Sequence, residues 1–306
     1  MNVFIQIIFF VIFSFFILYF YSKKDKFFLL KIMPIIVLLS FIFLSPIGLT
    51  WFERGQTDLY TGISYLLVTA GLISNYIPFI ILAGIFAALK WSSLPFLFII
   101  AVTFLFCNKM RLKRKFLLTM LPFLIIFISF IIFPKYIFDY INLIKVAELS
   151  NNAIAGVSAS RIFPLYLSKL FPFLYAFIYI FLFYLKSKKV PDKELLFNNS
   201  FLPMLIGASI IATTFGTIAY EYRAISFLAF YPLLINYNYK IKGNTLLNKI
   251  IINNLYFIFL LVSFRFVNIW PLALQTFIYF IFALLFLITA FIPQKKNPLR
   301  TTLNQD

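Results

Sequence analysis

A chain of 306 residues with 63% hydrophobic residues, 12% charged residues and a mean hydropathy of +1.00 is too apolar for a soluble enzyme, or for a soluble domain with one anchor. Its formal net charge of +18 would suggest nucleic acid in a soluble protein; in a membrane protein it reads as basic loops held on the cytoplasmic side, and no nucleic-acid partner is expected. One cysteine, Cys107, excludes an intrachain disulfide and a cysteine metal cage, and the absence of histidine excludes His-ligated metals and a Ser-His-Asp triad.

A spanning helix needs about 20 mostly apolar residues. The apolar runs here are continuous, unlike the short alternating segments of an outer-membrane barrel. The expected fold class is therefore all-α, a polytopic transmembrane helical bundle of about 10–11 spans forming a single integral membrane domain over residues 1–306. The first span is about Val3–Tyr21; charged residues rather than a small-residue cleavage site follow it, so it is expected to be retained. Further spans are expected at about 27–48, 58–74, 77–90, 93–107, 117–134, 163–185, 200–219, 224–238, 250–264 and 271–292. The short pair 77–90 and 93–107 reads either as two half-depth helices or as one tilted span broken at Lys90–Pro95. The longest outer loop is expected at about 135–160, and a cytoplasmic tail at 294–306.

Charge sorts the connections. Lys23–Lys31, Lys109–Lys115, Lys186–Lys193, Lys240–Lys249 and Lys295–Arg300 hold 19 of the 27 basic residues, on alternate connections. The opposite connections hold Arg54, Lys135, Lys145, Arg161, Lys169, Arg223 and Arg265. The positive-inside rule then sets the N-terminus outside and the C-terminus in the cytoplasm, as in a multi-pass protein of the cytoplasmic (inner) membrane. Glu53, Asp58, Asp139, Glu148 and Glu221 fall on or near the outer side.

Three polar constellations stand out. Glu53-Arg54-Gly55-Gln56-Thr57-Asp58 leads into a span, and polar side chains there are costly unless they line a polar cavity or lie at the interface. Asp58 fits the first turn of a helix, where a carboxylate meets the positive helix end. Lys90 ends the small-residue run Ala83–Ala88; it either faces the bundle interior, where it suits a phosphate, or snorkels to the interface. Glu221-Tyr222-Arg223 joins two spans, and its charged pair between aromatic residues suits sugar hydroxyls and phosphate oxygens, or an internal ion pair. No Gly-x-x-x-x-Gly-Lys-[Ser/Thr] element exists, so an ATP-driven pump is not expected, nor is any cofactor or metal.

Together these motifs resemble the polyprenyl-phosphate-sugar-dependent mannosyltransferases of the GT-C membrane glycosyltransferase superfamily. The matching positions are Arg54, Gly55, Gln56 and Asp58; Gly84, Ala87, Lys90 and Pro95; and Tyr222 and Arg223, within about residues 45–235. The resemblance implies a GT-C-like bundle that takes a sugar from a polyprenyl-phosphate-linked donor to a lipid or glycan acceptor at the outer face, in cell-envelope glycan or polysaccharide biosynthesis. It implies Asp58 or Glu53 as catalytic base, and Arg54, Gln56, Lys90, Glu221, Tyr222 and Arg223 as substrate-binding residues. Such enzymes carry a long outer loop with a catalytic Asp near their start. Here only about 50 residues, with Asp25 as the one acidic residue among them, precede the Gln56 motif, so the chain is expected to lack that front end. Two rivals remain open. One is an O-antigen- or capsule-type polysaccharide polymerase, with Arg161, Arg223 and Arg265 at work. The other is a lipid-linked sugar flippase or transporter, which predicts mid-span charges and an internal repeat.

Overall fold

The computed structural model describes residues 2–22, 33–107, 112–149, 165–187, 201–214, 221–240, 246–266 and 272–291. Among the described residues the protein is all-α, with thirteen α-helices and two 3₁₀ segments.

The hub is α4 (Asp58–Ser74), every residue of which from Asp58 to Leu72 is buried. Its bounds are those expected from the apolar run. It ends at Asn75, which adopts the left-handed conformation (φ 55°) that the short polar Asn side chain tolerates, and the Asn75 N–H returns to Gly71 O. Beside it α1 (Asn2–Ser22) runs in the same direction, with Asn2 meeting Tyr60 and Phe20 meeting Tyr76. The chain returns along α5 (Ile77–Leu89), where Ser64 Oγ donates to Ala83 O. Phe9 and Phe13 of α1 pack edge-on to Phe86, and Phe16 and Phe20 to Phe79, which ties α1 to α5 through ring contacts.

At Lys90 the helix breaks. Lys90 is extended, Trp91–Ser93 form a 3₁₀ turn, and α6 (Leu94–Cys107) leaves with Pro95 in its first turn, where no amide hydrogen is needed. The two limbs bend by 119° at this corner, so they are not one straight tilted span. Next comes α7 (Leu112–Ile132), parallel to α5: Gly84 lies against Pro122 and Ile125, and Trp91 packs edge-on to Phe130. Lys113, Arg114 and Lys115 lie on α7 itself, not in the preceding connection. Lys115 Nζ donates to Leu105 O (3.2 Å) and Arg114 Nη2 to Asn75 O (3.5 Å), so both cations meet the negative ends of helices. These basic residues therefore sit at the end of the α4–α7 group opposite Asp58 and Lys90.

The expected single span 27–48 is instead α2 (Met33–Leu44) and α3 (Pro46–Glu53), separated at Ser45. Ser45 caps α3 by accepting from Gly48 N (3.0 Å), and Pro46 occupies the first helical position. Part of the expected outer loop is helical, as α8 (Pro134–Leu149); residues 150–160 and the tail 294–306 lie outside the described residues. The later helices are α9 (Leu165–Ser187), α10 (Phe201–Thr213), α11 (Tyr231–Lys240), α12 (Leu246–Ser263) and α13 (Leu272–Phe291). The expected span 224–238 is a ten-residue 3₁₀ helix, Glu221–Phe230, running into α11. Ring pairs Phe227–Phe259 and Tyr231–Tyr256 make α12 antiparallel to it.

Two helices among the described residues, Asn2–Phe20 and Leu112–Ile132, are long and apolar enough to cross a membrane, or three segments if the bent pair counts as one. The shorter apolar stretches, among them Leu202–Thr213 and Ile250–Ser263, at 1.5 Å per residue fall short of a hydrocarbon core of about 30 Å, whereas Leu170–Leu185 and Leu274–Thr289 lie within longer helices, α9 and α13. The exterior is strongly apolar: Phe4, Ile8 and Ile12 on α1, and Leu124, Phe127 and Ile131 on α7, are all exposed.

Candidate functional site

Three residues from three of the polar constellations meet at one end of α4. Asp58 opens the helix, 1% exposed, and Lys90 Nζ reaches to 3.8 Å of its Oδ2 from the α5–α6 corner, itself 27% exposed. The charge of Arg223 also acts on Asp58. Neither oxygen of Asp58 has a hydrogen-bond partner among the described residues. One buried carboxylate is thus ion-paired through Oδ2 to Lys90 and lies within the field of Arg223, while its Oδ1 has no hydrogen-bond partner among the described residues.

Local chemistry holds the three segments together. Thr61, one helical turn beyond Asp58, pairs its hydroxyl with Ser92 Oγ (2.8 Å) and so ties the Lys90 corner to α4. Ser93 Oγ donates to Lys90 O (3.0 Å) and Trp91 Nε1 to Ala88 O (3.1 Å), which fixes the extended residue between two capped turns. The 3₁₀ helix lies along α4 at Gly62, where a Cβ would come within 3.0 Å of the Ser226 backbone. In a 3₁₀ helix residues three apart eclipse, so Arg223 stacks in line with Ser226, which faces this contact. Ser226 Oγ donates to Arg223 O (2.8 Å), and Arg223 Nη1 donates to Thr213 O (3.4 Å) at the end of α10.

The remaining expected site residues fare differently. Glu53 and Arg54 are exposed and form no ion pair with one another, and Glu53 makes none with Lys90 or Arg223, among the described residues. They leave α3 toward a turn whose Gly55 has φ 60°, a conformation that favours glycine. Gln56 is half-buried and takes part through its backbone: its carbonyl accepts from Gln6 Nε2 (2.9 Å) and its amide donates to Trp51 O (3.3 Å). Glu221 and Tyr222 begin the 3₁₀ helix, but their side chains lie outside the described residues, as does Arg161. Arg265 follows α12 at φ 55° and is not among the charges acting on Asp58. No group of three or more His, Cys, Asp or Glu able to hold a metal forms among the described residues.

Sequence reasoning passed over Gln6 and Trp51. Both are fully buried beside the start of α4, and each keeps one polar atom without a partner, Gln6 Oε1 and Trp51 Nε1. An amide inside an otherwise apolar helix was the available signal. No family model matches the chain, and neither does any curated protein or any solved structure.

Proposed function

We propose that the protein is a multi-pass membrane glycosyltransferase with a GT-C-like bundle, taking a sugar from a polyprenyl-phosphate donor at the outer leaflet of the cytoplasmic membrane. The observation that carries this reading is the meeting of Asp58, Lys90 and Arg223 at one buried end of α4, with Asp58 Oδ1 unpaired among the described residues. One carboxylate between two cations leaves an excess positive charge suited to a phosphate, and an acceptor suited to a hydroxyl proton. The orientation follows from the helix ends. The Asp58 group and the Arg114–Lys115 group occupy opposite ends of α4–α7, and the basic end belongs in the cytoplasm.

The chemistry is a displacement at the anomeric carbon. An acceptor hydroxyl oxygen bonds to that carbon while the bond from the carbon to the phosphate oxygen breaks. Asp58 takes the acceptor proton, a general-base contribution of about 10²–10⁴-fold. The lipid phosphate leaves with the bonding pair, and Lys90 and Arg223 meet its charge. Glu53, the other candidate base, is exposed on the turn that leads into α4.

The test is sugar transfer by purified protein in vesicles, from polyprenyl phosphate carrying glucose, galactose or mannose to lipid and glycan acceptors. Wild type is expected to transfer, Asp58→Asn to fall by two orders of magnitude or more, and Arg223→Ala to fall with a raised KM for the donor. Full activity in both variants, or no transfer by wild type from any donor, would defeat the assignment.

A further inference from the structure

Three buried polar groups with unused capacity lie around one short stretch of chain. Gln6 Nε2 is committed to Gln56 O, which leaves Oε1 as a lone acceptor in a side chain with no exposure. Trp51 Nε1–H is a lone donor in an equally buried ring, and its backbone carbonyl takes the Gln56 amide. Asp58, two residues on from Gln56, adds a buried carboxylate with Oδ1 unpaired and Oδ2 in the ion pair with Lys90. Buried polar groups are nearly always paired, and each exception calls for a cause. Gln6 on α1 and Trp51 on α3 are tied together through the Gln56 backbone, two residues before Asp58, and a single cause accounts for their unpaired acceptor and donor more simply than separate ones. In an apolar surrounding such groups are costly unless something satisfies them.

We propose that Gln6 and Trp51 bind hydroxyls of the transferred sugar next to Asp58, and so let the site distinguish a sugar-bearing lipid phosphate from the bare lipid phosphate. The proposal rests on the glycosyltransferase reading above and extends it from phosphate to sugar. Each sugar hydroxyl donates one hydrogen bond and accepts others. One hydroxyl donates to Gln6 Oε1, and a second accepts from Trp51 Nε1. Gln6 thus has two tasks: its Nε2 anchors the segment leading into Asp58, and its Oε1 faces the ligand.

Two variants remove the proposed sugar contacts one at a time. Trp51→Phe removes a donor that bonds to nothing among the described residues, so it costs no protein hydrogen bond. Gln6→Met keeps the length of the side chain and removes both functions. Binding is read by native mass spectrometry in nanodiscs, with polyprenyl phosphate carrying glucose, galactose or mannose against bare polyprenyl phosphate. Wild type is expected to hold one sugar-bearing lipid about tenfold or more above the bare lipid, and each variant to lose most of that preference while holding the bare lipid as before. Arg223→Ala is expected to weaken both lipids alike. If both variants keep the preference, or wild type holds the two lipids equally, the sugar site is wrong and the phosphate reading stands. If wild type holds neither lipid, both fall together.

Discussion

Lys90 Nζ stands 3.8 Å from Asp58 Oδ2, and this ion pair joins the α5–α6 corner to the first residue of the central helix. Its two ends are unequal: the carboxylate is enclosed, while the ammonium keeps part of its hydration. Removing the cation therefore leaves an enclosed charge offset, among the described residues' side chains, by Arg223 alone. Removing the carboxylate charge leaves a lysine that can turn outward.

That asymmetry predicts which variant unfolds. Lys90→Met is expected to destabilise by about 3 kcal/mol, the low end for breaking a buried pair. Asp58→Asn is expected to cost much less, and the double variant to recover most of the loss from Lys90→Met. Thermal unfolding in detergent, run as a double-mutant cycle, checks this. Additive losses would mean the pair is not coupled.

Some of this site was legible in the sequence because charge inside apolar runs is conspicuous. Asp58, Lys90 and Arg223 were each visible as costly residues, and the bounds of α4 followed from its apolar run. What brings them together was not visible. Lys90 closes on Asp58 because the chain turns through 119° at Trp91–Ser93, and a tilted broken span fitted the same residues. The 3₁₀ form of Glu221–Phe230 also escaped notice, since apolar residues three and four apart serve either helix over ten residues. Gln6 was hidden for another reason. Its partner is a backbone carbonyl far along the chain, and a backbone carbonyl carries no residue signature.

Gly62 sets how closely the Arg223 segment lies to α4. An added Cβ meets Ser226 Cα and O at 3.0 Å, and backbone has little freedom to yield. Gly62→Ala is expected to cost about 1–3 kcal/mol by overpacking, and to lower sugar transfer by moving Arg223 away from Asp58. Unfolding midpoints and donor KM, measured together, check it. A stable Gly62→Ala protein with unchanged KM would show that this approach does not position Arg223.

The basic residues at the start of α7 divide by burial. Lys115 is enclosed and donates to Leu105 O, so Lys115→Met leaves a carbonyl short of a partner, at about 1–3 kcal/mol. Arg114 is exposed and its contact to Asn75 O is long, so Arg114→Ala is expected to change stability by less than about 0.5 kcal/mol. Neither should alter transfer per folded molecule, since both lie at the far end of α4 from Asp58. Equal midpoints for the two variants would remove the capping role from Lys115.

The same two ends predict the orientation in the membrane. Glu53 lies on the exposed turn beside the Asp58 end, and Lys113 is exposed at the basic end. With the native thiol removed by Cys107→Ser, a single Glu53→Cys is expected to react with a membrane-impermeant maleimide on intact cells. Lys113→Cys is expected to react only after permeabilisation. Cations stay on the cytoplasmic side because moving them across is costly, and the Lys109–Lys115 run is the densest in the chain. Labelling of Lys113→Cys alone on intact cells would invert the protein. The Asp58 group would then face the cytoplasm, and the outer-leaflet donor would lose its access to Lys90 and Arg223.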